Sequence, residues 1–122
     1  MANATWPEVK IKIGGKTLCV DVDSGANFSV INKDFYTQLN LPHLEPSKHQ
    51  YINSVSGGRY LVNGQVTTSL VIENREIIHT FLVADTPMSR ILLGAVRLRC
   101  ESGCYVDWDE TGYPKVEFAS YQ

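Results

Sequence analysis

A chain of 122 residues holds one domain with one hydrophobic core and is too short for two. Its hydrophobic share of 43% and charged share of 20% are those of an ordinary globular protein, and no apolar run reaches membrane-spanning length. Eleven Lys and Arg, scattered singly, stand against thirteen Asp and Glu, so the net charge of −2 leaves no footprint for binding nucleic acid or an anionic membrane.

In chain order, MANATWPEVK lacks the basic-then-apolar pattern of a signal peptide. A hairpin follows. Val9, Ile11 and Ile13 alternate with Lys10 and Lys12, Gly14-Gly15 makes a tight turn, and a second strand runs into Asp23. FSVI (28–31) reads as a short strand. Asn32 is placed to cap a brief helix over KDFYTQL (33–39), which Asn40 and Pro42 end. LPHLEPSK (41–48), with two prolines, is a loop. HQYINSV and RYLVNGQV are strand-like runs flanking SGG, a second hairpin with Gly57-Gly58 at or near its tip. TTSLVI and REIIHTFLV pair around the turn Glu73-Asn74. ILLG (91–94) is a wholly apolar strand ending in glycine, AVRLRCES (95–102) suggests one or two helical turns closed by Gly103, and CYVDW and PKVEF are strands around DETG. Many short strands and at most two short helices predict an all-β barrel or sandwich, a single domain over 1–122.

Three cysteines, Cys19, Cys100 and Cys104, are an odd number without disulfide-rich spacing, which fits a reducing compartment and buried or partly buried thiols. Cys100 and Cys104 could share one helical face, but His43, His49 and His79 are scattered and complete no zinc pattern, so no metal is expected. The three histidines read as surface or loop residues, and Tyr105 and Trp108 as core or interface residues.

The stretch VDVDSGANFSVI is the anomaly. It places Asp21 and Asp23 in an otherwise apolar strand, where carboxylates are disfavoured and costly to bury. Gly25 lets the backbone turn sharply and lets a ligand approach, and Ser24 supplies a hydroxyl for a neighbouring backbone. DSGA, the glycine-bearing SVSGGRY, the apolar-apolar-Gly motif ILLG and then YVDW appear in order over nearly the whole chain. Together they resemble the retropepsin family, the aspartic proteases of retroviruses and LTR retrotransposons and their cellular relatives.

The resemblance implies a small retropepsin-like acid protease barrel with a flap hairpin. Asp23 matches the catalytic Asp, and Ser24, with Gly25, matches the support of the active-site loops, Ser24 locking them together across a dimer. Gly25 and Ala26 match positions whose backbone meets substrate, and Asn27 belongs with them at the substrate-binding loop. Ser56, Gly57 and Gly58 match the flap tip closing over an extended peptide, and Ile91, Leu92, Leu93 and Gly94 the segment bracing the catalytic loop. Such enzymes need two Asp residues sharing a proton, because like charges about 3 Å apart cannot both ionise. One D-[ST]-G triplet per chain then implies a homodimer with its axis between the two Asp23 residues. Water is the nucleophile, no cofactor is needed, and the partners are a second copy and a peptide or polyprotein, in the cytoplasm or a virus-like particle.

Two departures accompany the match. Asn27 and Ala95 stand where retroviral members often carry an Asp and an Arg, so that ion pair cannot form, and Val96 replaces a frequent Asp or Asn. The pattern is closer to retrotransposon-type or cellular members, and the tail beyond Trp108 is a candidate contributor to the dimer. Asp21, two residues from Asp23 and on the same strand face, reads as a partly solvated carboxylate near the cleft rim or one bonded to a basic neighbour. The sharper alternative is a charge that raises the pH optimum of the dyad. The function expected is a homodimeric aspartic endopeptidase. The alternative is a catalytically weak or inactive dimerisation or peptide-binding module.

Overall fold

A computed structural model describes residues 8–54, 57–87 and 90–119. The first hairpin forms as the alternation predicts. In β1 (Glu8–Ile13), Val9, Ile11 and Ile13 are buried and the lysines face outward. Gly14 and Gly15 take positive φ (56° and 83°), and β2 (Lys16–Asp23) returns antiparallel with Glu8 opposite Asp21. After Asp23 the chain turns into β3 (Ser29–Asn32), which is buried throughout.

Asn32 caps α1 (Lys33–Tyr36), its Oδ1 accepting from the N–H groups of Asp34 (2.9 Å) and Phe35 (3.1 Å). The helix is one turn long, shorter than the 33–39 expected. Beyond Tyr36 the winding tightens to three-residue bonds, Gln38 N–H to Phe35 O and Leu39 N–H to Tyr36 O. Leu39 thereby enters the core, and Asn40 N–H reaches Gly14 O at 3.1 Å, so tertiary docking ends the helix early.

β4 (Tyr51–Asn53) and β5 (Arg59–Ile72) form the second hairpin. β5 is one 14-residue strand, where the sequence suggested a break between RYLVNGQV and TTSLVI. The irregularity is instead a bulge between Val62 and Gly64. A Cβ at Gly64 would stand 2.8 Å from Glu45 O, so glycine there lets the loop strand pair against Gln65. Glu73 and Asn74, both at positive φ, turn the chain into β6 (Arg75–Ala84). β7 (Ile91–Gly94) leads into α2 (Ala95–Ser102), closed by Gly103 at φ 62°.

The strand order is β1-β2-β7-β3-β6-β5-β4, and β1 also pairs with β5 through Ile11↔Ile72 and Lys12↔Val71. Six strands therefore close into a barrel, which removes open edges, while β4 continues beyond it as the flap hairpin. Ile11, Ile13, Ile31, Leu70, Ile72, Phe81, Leu93 and Leu98 fill its interior. Each such side chain contributes about 1.5–3 kcal/mol by leaving water. β8 (Cys104–Trp108) and β9 (Pro114–Phe118) make a separate two-stranded sheet beyond α2. Asp109 organises its turn by accepting from Thr111 and Tyr113. Those bonds, the Thr111 hydroxyl first, hold its carboxyl below the usual Asp range.

Two expectations need correction. Cys19 and Cys100 are exposed, because β2 turns residue 19 outward and α2 turns residue 100 away from the barrel; only Cys104 is buried, and burial raises its thiol to about 11. Cys104 opens β8, as the strand reading of CYVDW has it, because Gly103 has already ended α2. Of the two places expected for Trp108 and Tyr105, the core is ruled out: they are 50% and 39% exposed on the β8–β9 hairpin.

Candidate active site

In β2 the pleat sends Val20 and Val22 into the core and Asp21 and Asp23 to the opposite face. The strand ends at Asp23, whose carbonyl accepts from Ala26 N–H (3.2 Å) and whose Oδ1 accepts from Gly25 N–H (3.0 Å). Its side chain is thus fixed by its own turn and left half-buried. Behind the turn lies Gly94, in parallel register with Asp23. A Cβ on Gly94 would come within 2.5 Å of Phe28 O and 2.9 Å of Ala26 O, so only glycine allows β7 to pass this close.

The first turn of α2 ties the same loop down. Val96 N–H donates to Ala26 O at 3.3 Å, and Arg97 Nε donates to Asn27 O at 3.1 Å. The Arg97 guanidinium also stands 5.3 Å from the Phe28 ring centroid. Arg97, two positions beyond Ala95, is thus the α2 arginine bonded to the loop backbone. Its signal in sequence was faint, one of two arginines on a short helix.

A cleft of about 640 Å³ opens over the loop, lined by Asp23, Gly25, Ala26 and Asn27 on one side. Its apolar floor is Val30, Leu82 and Leu92, which lie side by side across β6, β3 and β7 (Val30↔Leu92, Val30↔Leu82). Their strand neighbours Ile31, Phe81, Val83, Ile91 and Leu93 point the other way, into the core. Phe28, His49, Tyr51, Ile52 and Tyr60 complete the walls. Leu92 was expected only as part of the bracing segment and His49 only as a surface or loop residue; the others were not singled out from sequence, because an apolar residue facing a cleft looks the same as one facing a core.

The flap hairpin contributes through Ile52, Asn53, Ser54 and Tyr60, while Gly57, Gly58 and Ser24 stand outside the cleft lining. Ser54 organises the tip. Its N–H donates to Gly58 O (2.8 Å), its carbonyl accepts from Gly57 N–H (3.0 Å) and its Oγ from Gly58 N–H (3.1 Å). Gly57 has φ 93° and Gly58 lies against the Tyr60 ring. Ser56 lies outside the described residues. Asp21 is half-buried opposite Glu8 and has no ion-pair partner among the described residues; it does not line the cleft.

His79, expected at the surface, is wholly buried in β6 behind the cleft floor. Its Nε2 stands 2.6 Å from Ser29 Oγ, and its Nδ1 2.8 Å from Glu101 Oε1. The latter contact is electrostatic, since the ring nitrogen lacks the alignment of a hydrogen bond. Burial first, and the Arg97 guanidinium second, push the imidazole down to about 4. Among the described residues, no three His, Cys, Asp or Glu side chains gather as metal donors, and no helix is long and apolar enough to cross a membrane.

No curated protein sequence matches this chain. Among solved structures, EIAV protease complexed with the inhibitor HBY-793 is similar at a TM-score of 0.64 and 24% identity, over 82% of this chain and 91% of that one. This likeness shows the fold, a retroviral-protease barrel. Residues 9–99 match the family model described as "gag-polyprotein putative aspartyl protease", a span running from β1 through the cleft to the middle of α2. The chain belongs to the gag-polyprotein aspartyl protease family.

Proposed function

We propose that the protein is a homodimeric aspartic endopeptidase that cleaves extended peptide or polyprotein segments, with Asp23 as the catalytic residue of each protomer. The observation that carries this reading is the carboxylate of Asp23, held by its own turn at the end of an apolar cleft and facing a hairpin with glycines at its tip. An extended peptide fits such a cleft as an added strand, its backbone bonded to the Gly25–Asn27 loop below and the flap above, its apolar side chains on Val30, Leu82 and Leu92.

The chemistry needs a second carboxylate, and the chain has one D-[ST]-G triplet. A two-fold axis beside Asp23 supplies the partner's copy, with the exposed Ser24 hydroxyl available to tie the two loops. One Asp of the pair then takes a proton from water as it attacks the scissile carbonyl, and the other, protonated, donates to the carbonyl oxygen. No covalent intermediate forms. The family match supports a gag-type polyprotein as substrate and a virus-like particle or the cytoplasm as its setting.

Cleavage of a diverse peptide library, followed by mass spectrometry over a range of protein concentrations, tests this with Asp23→Asn in parallel. The expected result is cleavage that rises more steeply than linearly with concentration and disappears in the variant. Absence of cleavage at high concentration from a folded dimer would replace this reading with that of a dimerisation or peptide-binding module.

A further inference from the structure

Behind the cleft floor, three side chains from three distant elements meet in the barrel wall. Ser29 of β3 and His79 of β6 are buried, and Glu101 of α2 reaches them from the surface. At the inner end, Ser29 Oγ accepts the N–H of Gly94 at 2.9 Å. Glu101 Oε1 also accepts Thr80 N–H at 3.2 Å. The chain of contacts runs from a solvent-facing carboxylate to the glycine that lies directly behind Asp23.

The protons along it have one favourable order. A bare Nδ1 lone pair 2.8 Å from a carboxylate oxygen would be repelled, so Nδ1 carries the imidazole proton. Nε2 is then an acceptor and Ser29 O–H donates to it across 2.6 Å, which leaves the oxygen lone pairs of Ser29 for Gly94 N–H. Among the described residues, the charged groups facing His79 are Arg97 and Glu101, both from α2, while β3 presents Ser29 and β5 places Thr68 opposite it. A second proton on the ring would turn Nε2 into a donor. Ser29 Oγ would then accept twice, and its own proton would have no acceptor in a site with no water access.

We propose that Glu101, His79 and Ser29 form a proton-ordered strut that fixes Gly94 and, through it, the Asp23 loop, which makes Ser29 and His79 positioning residues for peptide cleavage. The strut acts through backbone contact. Gly94 pairs with Asp23 and runs so close to the loop that an added Cβ would stand 2.5 Å from Phe28 O and 2.9 Å from Ala26 O. Arg97 holds the outer side of the same loop at Asn27 O, so α2 grips the loop from both sides with residues one helical turn apart. The catalytic part of this inference rests on the protease reading of Asp23, whereas the strut itself does not.

The test compares wild type, Ser29→Ala and Ser29→Thr at pH 5.5, with kcat and KM measured per folded dimer. Ser29→Ala is expected to lower kcat about tenfold or more while KM stays within about twofold, as for a loop displaced by a fraction of an ångström. Ser29→Thr, which keeps the hydroxyl, recovers most of the loss. A Ser29→Ala enzyme with wild-type kcat overturns the proposal, as does a Thr variant no better than Ala while equally well folded. Independently of cleavage, imidazole ¹⁵N shifts of the unaltered protein should report the Nδ1–H form of His79; the Nε2–H form overturns the strut. If wild type cleaves nothing, the protease reading fails by itself. The strut is then decided by amide exchange, where Ser29→Ala should deprotect Gly94 and shift residues 23–28, and unchanged amides refute it.

Discussion

Asp23 and Asp21 occupy the same face of one strand, yet only Asp23 sits where the strand ends, with Gly25 N–H on its carboxylate and the cleft before it. Asp21 faces Glu8 across the hairpin and lies outside the cleft lining, which favours the partly solvated reading over an effect on the dyad. Replacing Asp21 by Asn is expected to leave the pH–rate profile superimposable on wild type; a displaced optimum would show the reverse. His79 makes a prediction of its own. Its native pKa of about 4 lies below the unfolded 6.5, so the unfolded chain binds a proton that the folded chain refuses. Stability from this residue is complete above about pH 6.5, falls as pH drops through the window and levels off below about 4, a loss on the order of 3 kcal/mol. Urea midpoints at pH 7, 5.5 and 4 check this, with His79→Gln expected to show a shallower fall; equal slopes would mean that other groups carry the pH dependence.

At the scale of elements, strands announced by alternation or by a glycine turn were legible, as in β1, β2 and the β5–β6 turn. The Asn32 cap was legible too, because capping needs only a side-chain oxygen and two N–H groups two and three residues ahead. The length of α1 was not, since it depends on Leu39 reaching the core and Asn40 reaching Gly14. Asn32→Ala is expected to cost about 1–2 kcal/mol, more than a surface cap, because the same side chain also donates to Thr86 O at 2.8 Å. Gly94→Ala should be harsher. Its Cβ would meet backbone oxygens that no rotamer change can move, so the expected result is a loss of several kcal/mol or no folded protein, read by thermal melting. A variant melting within a degree of wild type would show that the loop yields.

For the molecule as a whole, the barrel closes through β1 and β5, and Phe81 lies fully buried within it. Phe81→Ala is expected to destabilise by about 3–5 kcal/mol, measured by chemical denaturation, since the surrounding closed wall cannot collapse into the cavity. A cost below about 1 kcal/mol would show that it can. Under the proposed homodimer each protomer provides one Asp23 and half of a two-fold site, so activity should fall faster than concentration on dilution. The β8–β9 hairpin, with Trp108 and Tyr113 exposed, lies beyond the span matched by the family model.

The local features could be read along the chain: alternating faces, glycine turns, the helix cap, and a carboxylate followed by Ser-Gly-Ala at a strand end, in an order that pointed to the family. Each is set by residues within a few positions of one another, so the chain spells it out directly. Folding settles the rest: which apolar residues floor the cleft, that Arg97 secures the loop at Asn27, and that His79 is buried between Ser29 and Glu101. Those partners stand 70, 50 and 22 residues apart, the last from 79 to 101. Their meeting depends on strand register around a closed barrel, and register between distant strands leaves no periodic trace in the sequence.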